Sequence, residues 1–84
     1  MTTVLYFAWV RQMIGPSGET LALPDGVATV RALAENLRAR GGGYAQAFAD
    51  LSRLRVAVNR EHAGFDAAIA DGDEVAFFPP VTGG

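Results

Sequence analysis

The sequence contains no cysteine and no lysine. Without cysteine the chain can form neither a disulfide framework nor a thiolate metal site, and the absence fits a reducing compartment. Its seven basic residues are all arginines, and nine acidic residues outnumber them, which gives a net charge of −2. A surface that binds nucleic acid or an anionic membrane needs an excess of basic residues, so we expect neither kind of partner.

Long hydrophobic runs are also absent from the sequence. No apolar run approaches the roughly 20 residues that a transmembrane helix needs. A signal peptide has a basic stretch ahead of its apolar part. The first residues, MTTVLYFAWVRQ, have no such stretch. We therefore expect a cytoplasmic protein, and its 84 residues predict a single domain.

Four strands are predicted from short runs that are rich in β-branched and aromatic residues. These runs lie at residues 4–10, 20–24, 54–59 and 74–78. The first two are separated by a turn that contains glycine and proline, so we expect them to pair as a hairpin. The stretch between the last two has no regular pattern apart from a turn signal at Asp71-Gly72.

One amphipathic helix is predicted after Thr29, which is a suitable N-cap. Its apolar stripe has the spacing of a helix face and consists of Val30, Leu33, Ala34 and Leu37. Gly41 is expected to end this helix, and a shorter helix with Tyr44 and Phe48 on its apolar side follows. The order of elements predicts an α+β fold of the β-grasp type, with a mixed sheet of four to five strands and a helix packed on one face.

The predicted sheet is apolar on both of its faces. In residues 4–9 and again in 75–78, both alternating sets of side chains are apolar, whereas a half-covered antiparallel sheet alternates apolar with polar residues. Only one set can face the helix, so the other leaves large apolar groups on an open face. We interpret that face as a surface for docking a partner. The alternatives are that the second helix or residues 60–73 cover it, or that the sheet is buried on both sides.

Residues suited to catalysis are sparse. His62 is the single histidine, and nothing in the spacing places it near Ser17 or Ser52 to form a Ser-His-Asp site. The DGDE sequence at 71–74 is too short for a calcium loop and is better explained as a turn. The glycines at 41–43 are not followed by the Lys-Ser/Thr of a phosphate loop. We therefore predict no metal site, no bound cofactor and no catalytic apparatus of the chain's own.

The last eight residues, FFPPVTGG, carry no ionisable side chain. Pro79 and Pro80 restrict the backbone and favour an extended arm. Gly83 and Gly84 lack side chains, so they fit a channel that is too narrow for other residues. A terminal carboxylate becomes reactive once a partner enzyme adenylates it with ATP, because AMP is a good leaving group that a sulfur donor can displace.

These features predict a carrier protein whose reactive group is its own C-terminus. We divide the chain into a folded domain at residues 1–78 and an extended carrier tail at residues 79–84. The alternative is that the two terminal glycines form only a flexible tail.

The chain resembles the small, sulfur-carrier subunit of molybdopterin synthase, known as the MoaD family. That family's first strand and turn are similar to VLYFAWVRQMIG at residues 4–15, and its C-terminal third is similar to VAVNREHAGFDAAIADGDEVAFFPPVTGG at residues 56–84. The specific part is DGDEVAFFPPVTGG. The resemblance spans essentially the whole chain and implies a ubiquitin-like β-grasp fold.

The resemblance also implies a function. Gly84 is expected to be adenylated by an E1-like enzyme with ATP and converted by a sulfur donor to a thiocarboxylate, with Gly83 and Gly84 as the transfer end. The tail then enters the large synthase subunit and gives sulfur to cyclic pyranopterin monophosphate, within a heterotetramer of two small and two large subunits. The implied partner-binding residues are Phe7, Arg11, Phe78, Pro79, Pro80, Val81 and Thr82.

His62 departs from the family pattern, in which a larger apolar residue is common near this position, so its contribution to docking stays open. Two alternative functions also stay open. One is a sulfur carrier for thiamine, thionucleoside or cysteine synthesis. The other is a ubiquitin-like modifier or binding module without transfer chemistry.

Overall fold

The computed structural model describes residues 1–80 of the chain. These residues form five strands and three α-helices, with a 3₁₀ turn at Leu51–Arg53 before the third strand. None of the helices in this part of the chain is long and apolar enough to cross a membrane. In chain order the elements are β1 (Thr2–Tyr6), α1 (Ala8–Ile14), β2 (Gly18–Leu21), α2 (Val30–Arg38), α3 (Gly42–Ala47), β3 (Arg55–Val58), β4 (Glu61–Ala63) and β5 (Glu74–Phe78).

The strands form one mixed, five-stranded sheet in the order β2-β1-β5-β3-β4. β5 lies at its centre, parallel to β1 and antiparallel to β3. The outer strands β2 and β4 each pair antiparallel with their inner neighbour. The sheet and the helix packed on it confirm the predicted α+β architecture.

The core lies between the sheet and α2. Successive strand residues point to opposite faces, and the inward set on β1 and β5 is Val4, Tyr6, Val75 and Phe77, which are all almost fully buried. The ring of Phe48 belongs to the same core and meets Phe77 edge to face, with 4.9 Å between ring centroids. α2 contributes the predicted apolar stripe, which is fully buried and consists of Val30, Leu33, Ala34 and Leu37.

Two sets of hydrogen bonds fix the start of α2. The Thr29 hydroxyl oxygen accepts from the Ala32 N–H over 3.1 Å, which confirms Thr29 as the N-cap. The first two helical N–H groups donate to the carbonyls of Ala67 and Phe65, so they have the partners that a helix start otherwise lacks. With Ile69 buried in the core, the irregular segment between β4 and β5 is held on the helix side of the sheet.

The N-terminal strand is shorter than the sequence predicts. A single strand is predicted through Val10, but β1 ends at Tyr6 and α1 begins at Ala8. Because β1 and α1 both bury apolar residues, residues 4–10 are apolar throughout. Their apolar pattern therefore does not show where the strand ends and the helix begins. The backbone marks it instead, because Ala8 has a positive φ of 52°. α1 therefore intervenes between β1 and β2, which still pair antiparallel as predicted.

Two other elements also differ from prediction. β2 occupies Gly18–Leu21 rather than residues 20–24, and β4 at Glu61–Ala63 has no signal in the sequence. β4 is only three residues long, and its first two side chains are polar and exposed, so it shows no apolar pattern.

α1 and α3 approach each other closely at Gly43. A Cβ atom at this position would overlap the carbonyl oxygen of Met13 and crowd the Cα of Ile14. Glycine is otherwise a poor residue for a helix. Its place in α3 is therefore explained by the contact with α1.

A polar cluster joins β2 to the helical layer. The Glu19 carboxylate accepts hydrogen bonds from the hydroxyls of Tyr6 (2.9 Å) and Tyr44 (2.6 Å) and from the Arg40 guanidinium (2.7 Å). Burial alone would raise the pKa of Glu19, but the hydrogen bonds from Tyr44, Arg40 and Tyr6 outweigh it and lower that pKa. Burial and the Glu19 carboxylate together raise the pKa of Tyr6 far above its usual value, so Tyr6 remains a donor.

Gly43→Ala is expected to lower the free energy of unfolding by about 1–3 kcal/mol, because the added methyl group forces two helix backbones apart. Alanine normally stabilises a helix relative to glycine, so the sign of the change tests the close approach. Gly64→Ala is the matched control, since a Cβ there meets open space and should change that free energy by less than about 0.5 kcal/mol. Urea denaturation followed by circular dichroism measures both. A Gly43→Ala protein as stable as the parent would contradict the packing.

Glu19→Gln is expected to lower the free energy of unfolding at neutral pH by about 1–3 kcal/mol, because the charge-assisted hydrogen bonds are weakened. Folding lowers the pKa of Glu19, so the ionised carboxylate stabilises the fold above its unfolded pKa of about 4.3. This stabilisation is lost as the pH falls through the lower, folded pKa. Acid and urea titrations of both proteins should therefore show the difference in stability disappearing at low pH.

Asp66→Asn is the control for Glu19→Gln. The Asp66 side chain is 90% exposed in its ion pair with Arg31, and such exposed pairs contribute little to stability. A difference between parent and Glu19→Gln that stays constant down to the lowest pH at which both fold would show that the carboxylate charge does not stabilise the cluster.

Candidate functional site

The side of the sheet that faces away from α2 carries an apolar surface, which we call the open face. It is formed by Leu5 on β1, Ala76 and Phe78 on β5, Ala57 on β3 and His62 on β4. The strand register places Leu5, Ala76, Ala57 and His62 in one row across four strands. Because their neighbours along β1 and β5 point into the core, these side chains point away from it.

Small residues occupy the middle of the open face, and large ones lie at its ends. Ala76 is 8% exposed, and Leu5 and Phe78 are half-buried. Phe7, the first residue after β1, is 48% exposed, and exposed aromatic rings on an apolar surface are typical of interaction sites. One alternative from the sequence is that residues 60–73 cover the second face of the sheet. The chain between β4 and β5 packs on the helix side instead, so it does not cover these rings.

Backbone contacts on both sides hold Phe7 at the end of the open face. Its N–H donates to the Phe77 carbonyl over 3.1 Å, which extends the β1–β5 ladder by one step, and its carbonyl accepts from the Val10 N–H over 3.1 Å. The pairing of Tyr6 with Phe77 makes Phe7 the cross-strand neighbour of Phe78. The fold therefore brings together the two phenylalanines that were predicted to bind a partner.

Arg11 lies one helical turn from Phe7 on α1. Its N–H reaches the Phe7 carbonyl over 3.5 Å, and its side chain is exposed. Together with Ala8, Gln12 and Gly15 it lines a shallow concavity on this helix. Because Arg11 is in the last turn of α1, its positive charge also favours the helix C-terminus. The structure thus places the exposed cation of Arg11 on the helix that directly follows Phe7.

The ring of Phe78 contacts His62 edge to face, with 5.6 Å between ring centroids and an interplanar angle of 79°. Arg55 on β3 is the cross-strand neighbour of Phe78. The Arg55 guanidinium turns back and donates to the Leu54 carbonyl over 2.9 Å. His62, whose role the sequence leaves open, is therefore a neighbour of Phe78 and part of the open face.

The predicted carrier tail follows directly from β5, which ends at Phe78. Pro79 is half-buried and Pro80 is exposed. The division of the chain after residue 78 coincides with the end of this strand and stays a prediction. Four residues assigned to the arm and its transfer end lie outside the described residues: Val81, Thr82, Gly83 and Gly84.

Comparison with known proteins identifies the family. A model described as the ThiS family matches residues 4–84. The chain belongs to the ThiS family. It is 44% identical over 84 residues to the molybdopterin synthase sulfur carrier subunit of Escherichia coli (strain K12). It is 42% identical over 84 residues to the protein of the same name from Haemophilus influenzae. In both cases 100% of each chain is covered.

Solved structures show the same fold for this ThiS-family chain. SAMP1 from Haloferax volcanii has a TM-score of 0.72 at 29% identity, over 99% of this chain and 98% of that one. The predicted β-grasp fold is therefore confirmed. The identities with the two carrier subunits confirm the predicted resemblance to the small subunit of molybdopterin synthase.

The acidic DGDE sequence has a structural role in this ThiS-family chain. Asp73 accepts hydrogen bonds from the Ala70 N–H and the Asn59 amide, which lower the pKa of its carboxyl. Asp71 pairs with the amino group of Met1 at 2.8 Å. Residues 1–80 contain no group of three or more histidine, cysteine or acidic residues that could hold a metal ion. These contacts support the interpretation of DGDE as a turn.

Part of the open face was not identified from the sequence. The alternating pattern on β1 and β5 gives the signal for Leu5 and Ala76, although it does not say which of the two sets faces the helix. Ala57 and His62 join the face only through the pairing of β3 with β4, and no short-range pattern predicts that pairing because β4 is so short.

Proposed function

We propose that this ThiS-family protein is the sulfur-carrier subunit of a molybdopterin synthase. The observation that carries the proposal is the junction at Phe78, where the central strand ends beside the open face and the predicted carrier tail continues. A domain built in this way docks through one surface and directs its C-terminus into the same partner. Relatives at 44% and 42% identity that bear this name support the assignment.

The reactive group in this proposal is the carboxylate of Gly84. An E1-like partner enzyme uses ATP: a carboxylate oxygen attacks the α-phosphorus, pyrophosphate leaves and an acyl adenylate forms. Sulfur delivered by a donor at the sulfide level then attacks the carbonyl carbon, the bond to the AMP oxygen breaks and AMP leaves with the electron pair, while the sulfur loses its proton to solvent. The product is a thiocarboxylate that carries one transferable sulfur.

Sulfur transfer is proposed to take place in the large synthase subunit. The tail with Gly83 and Gly84 enters that subunit and gives sulfur to cyclic pyranopterin monophosphate, and two such transfers build the dithiolene that later binds molybdenum. The working assembly is a heterotetramer of two small and two large subunits. In this account the chain is not an enzyme on its own and binds no cofactor, since ATP is used by the activating partner. We propose a cytoplasmic location for the reaction, which the absence of cysteine fits.

Docking is assigned to the open face, with Phe7 and Phe78 as its aromatic anchors. Burying half-exposed rings in a complementary pocket contributes apolar contact area at the centre of an interface. Arg11, one helical turn from Phe7, adds an exposed cation on α1. Charges at an interface rim set orientation and association rate more than affinity. Pro79 and Pro80 restrict the start of the tail, so less conformational freedom is lost when the tail is threaded.

Activation should increase the mass of the chain by the difference between one sulfur and one oxygen, because the Gly84 carboxylate becomes a thiocarboxylate. The purified chain is incubated with the activating enzyme, ATP and a sulfur source, and intact-protein mass spectrometry measures the change.

Deletion of Gly84 should abolish sulfur transfer while the circular dichroism spectrum and the thermal midpoint stay the same, since the core lies within residues 4–77.

Two results would overturn the sulfur-carrier proposal. One is an unchanged mass when the activating enzyme is demonstrably active on another carrier. The other is full synthesis of the pterin dithiolene by the chain that lacks Gly84.

Phe7→Ser is expected to weaken binding to the large synthase subunit by about tenfold or more, because an aromatic anchor is lost. Met13→Ser is the matched control: Met13 is also a large exposed residue, at 41% against 48% for Phe7, but it lies on α1 where that helix meets α3. Isothermal titration calorimetry measures both affinities. Equal weakening by the two substitutions would contradict docking through the open face. Binding of the parent chain only to the partner of another sulfur-carrier pathway would contradict the assignment to molybdopterin synthase.

A further inference from the structure

Three non-glycine residues within residues 1–80 have a positive φ: Ala8 at 52°, Asn59 at 52° and Arg60 at 70°. Side chains with a Cβ are rarely found in this left-handed region. Asn59 and Arg60 are explained by their position, because they form the two-residue turn between β3 and β4. Their two positive φ values are those of a type I′ turn, which is common in such hairpins. Ala8 lies in no hairpin turn, so its strained backbone needs another explanation.

The strain at Ala8 lies between two well-anchored neighbours. Phe7 is extended, with φ −122° and ψ 155°, and its N–H bonds to the Phe77 carbonyl. On the other side, Val10 is fully buried and fixes α1 against the core. Strained residues persist where the surrounding structure determines them fully, and they are concentrated at functional sites.

The left-handed turn decides which way Phe7 points and where the chain goes next. If the strand continued, as the sequence predicts, Ala8 would face the core and Trp9 would follow Phe7 onto the open face. The turn instead sends the chain into α1 directly after Phe7, and Trp9 packs against the core. Phe7 is thereby left as the last side chain of the β1 ladder, 48% exposed beside Phe78.

We propose that Ala8 is a positioning residue for docking: its left-handed backbone turn holds Phe7 at the end of the open face in the orientation that the partner binds. The inference rests on the proposed function, since it assigns a role to Ala8 in the same docking step. A methyl side chain at this position costs stability through strain but restricts the backbone more than glycine does. Restricting a binding residue before contact reduces the entropy lost on association.

The test compares two variants that both relieve strain at position 8. Ala8→Gly removes the strain and loosens the turn, so the thermal midpoint should not fall, while binding to the large synthase subunit should weaken by about two- to fivefold. A chemically synthesised chain with D-alanine at position 8 also removes the strain but prefers positive φ, so it should keep the parent affinity. Isothermal titration calorimetry gives the affinities, and thermal unfolding gives the midpoints.

A double-mutant cycle shows whether Ala8 acts through Phe7. In the Phe7→Ser background, Ala8→Gly should no longer change the affinity, because the positioned ring is absent. Arg60→Gly is the control for introducing glycine at a left-handed position. The Arg60 side chain is 87% exposed and belongs to the β3–β4 turn, at the opposite end of the sheet from Phe7, so this substitution should leave the affinity unchanged.

Three outcomes would overturn the inference about Ala8. In the first, the Ala8→Gly chain binds the large subunit as tightly as the parent. In the second, Ala8→Gly weakens binding by the same factor in the parent and in the Phe7→Ser background. In the third, the Ala8→Gly chain has the same affinity as the D-alanine chain. In each of these the parent still binds the large subunit, so the proposed function survives. If the parent chain itself does not bind, the proposed function and the inference fall together.

Discussion

The position of β5 between β1 and β3 is the constraint on which the rest of the structure depends. Pairing on both sides fixes the register of β5, so Val75 and Phe77 face α2 while Phe78 faces the opposite side. A slip of one residue would turn the buried set to the open face, which the burial of Phe77 against Phe48 opposes. Because the C-terminal residues follow Phe78 directly, the same register determines where the predicted tail begins.

In the proposed function the two faces of the single sheet have different roles, with stability on the helix side and docking on the open face. The α2 stripe and the hydrogen bonds to Glu19 fix the helical layer to the sheet, and the close approach at Gly43 fixes α3 to α1 within that layer. The open face holds small alanines at its middle and aromatic rings at its ends. Substitutions on the open face can therefore change docking while the core is preserved.

Much of this arrangement was predictable because the decisive signals are local. The N-cap at Thr29, the apolar stripe of α2 and the bounds of β5 follow from residues that are close in sequence. The end of β1 was not predictable, since alanine carries no turn signal and Ala8 adopts a positive φ only because its neighbours are anchored. The bonds from Tyr6 and Tyr44 to Glu19 join residues 13 and 25 positions apart, and no local pattern reveals them.

The candidate site was predicted to a similar extent. Phe7, Arg11 and Phe78 came from a family resemblance. The structure makes Phe7 and Phe78 cross-strand neighbours at one end of the sheet and places Arg11 one helical turn from Phe7. The contact of His62 with Phe78 required the pairing of β4, which the sequence does not indicate. The proposed carrier chemistry depends on the terminal carboxylate, and its cargo was indicated by the resemblance rather than by any single residue.

The central claim is that sulfur in the pterin product comes from the C-terminus of this chain. The most direct measurement uses the chain with a heavy sulfur isotope in its C-terminal thiocarboxylate, incubated with the large subunit and cyclic pyranopterin monophosphate without another sulfur source. Mass spectrometry of the product should show heavy sulfur at both dithiolene positions. A product with unlabelled sulfur, or no product while the chain retains its label, would contradict the claim.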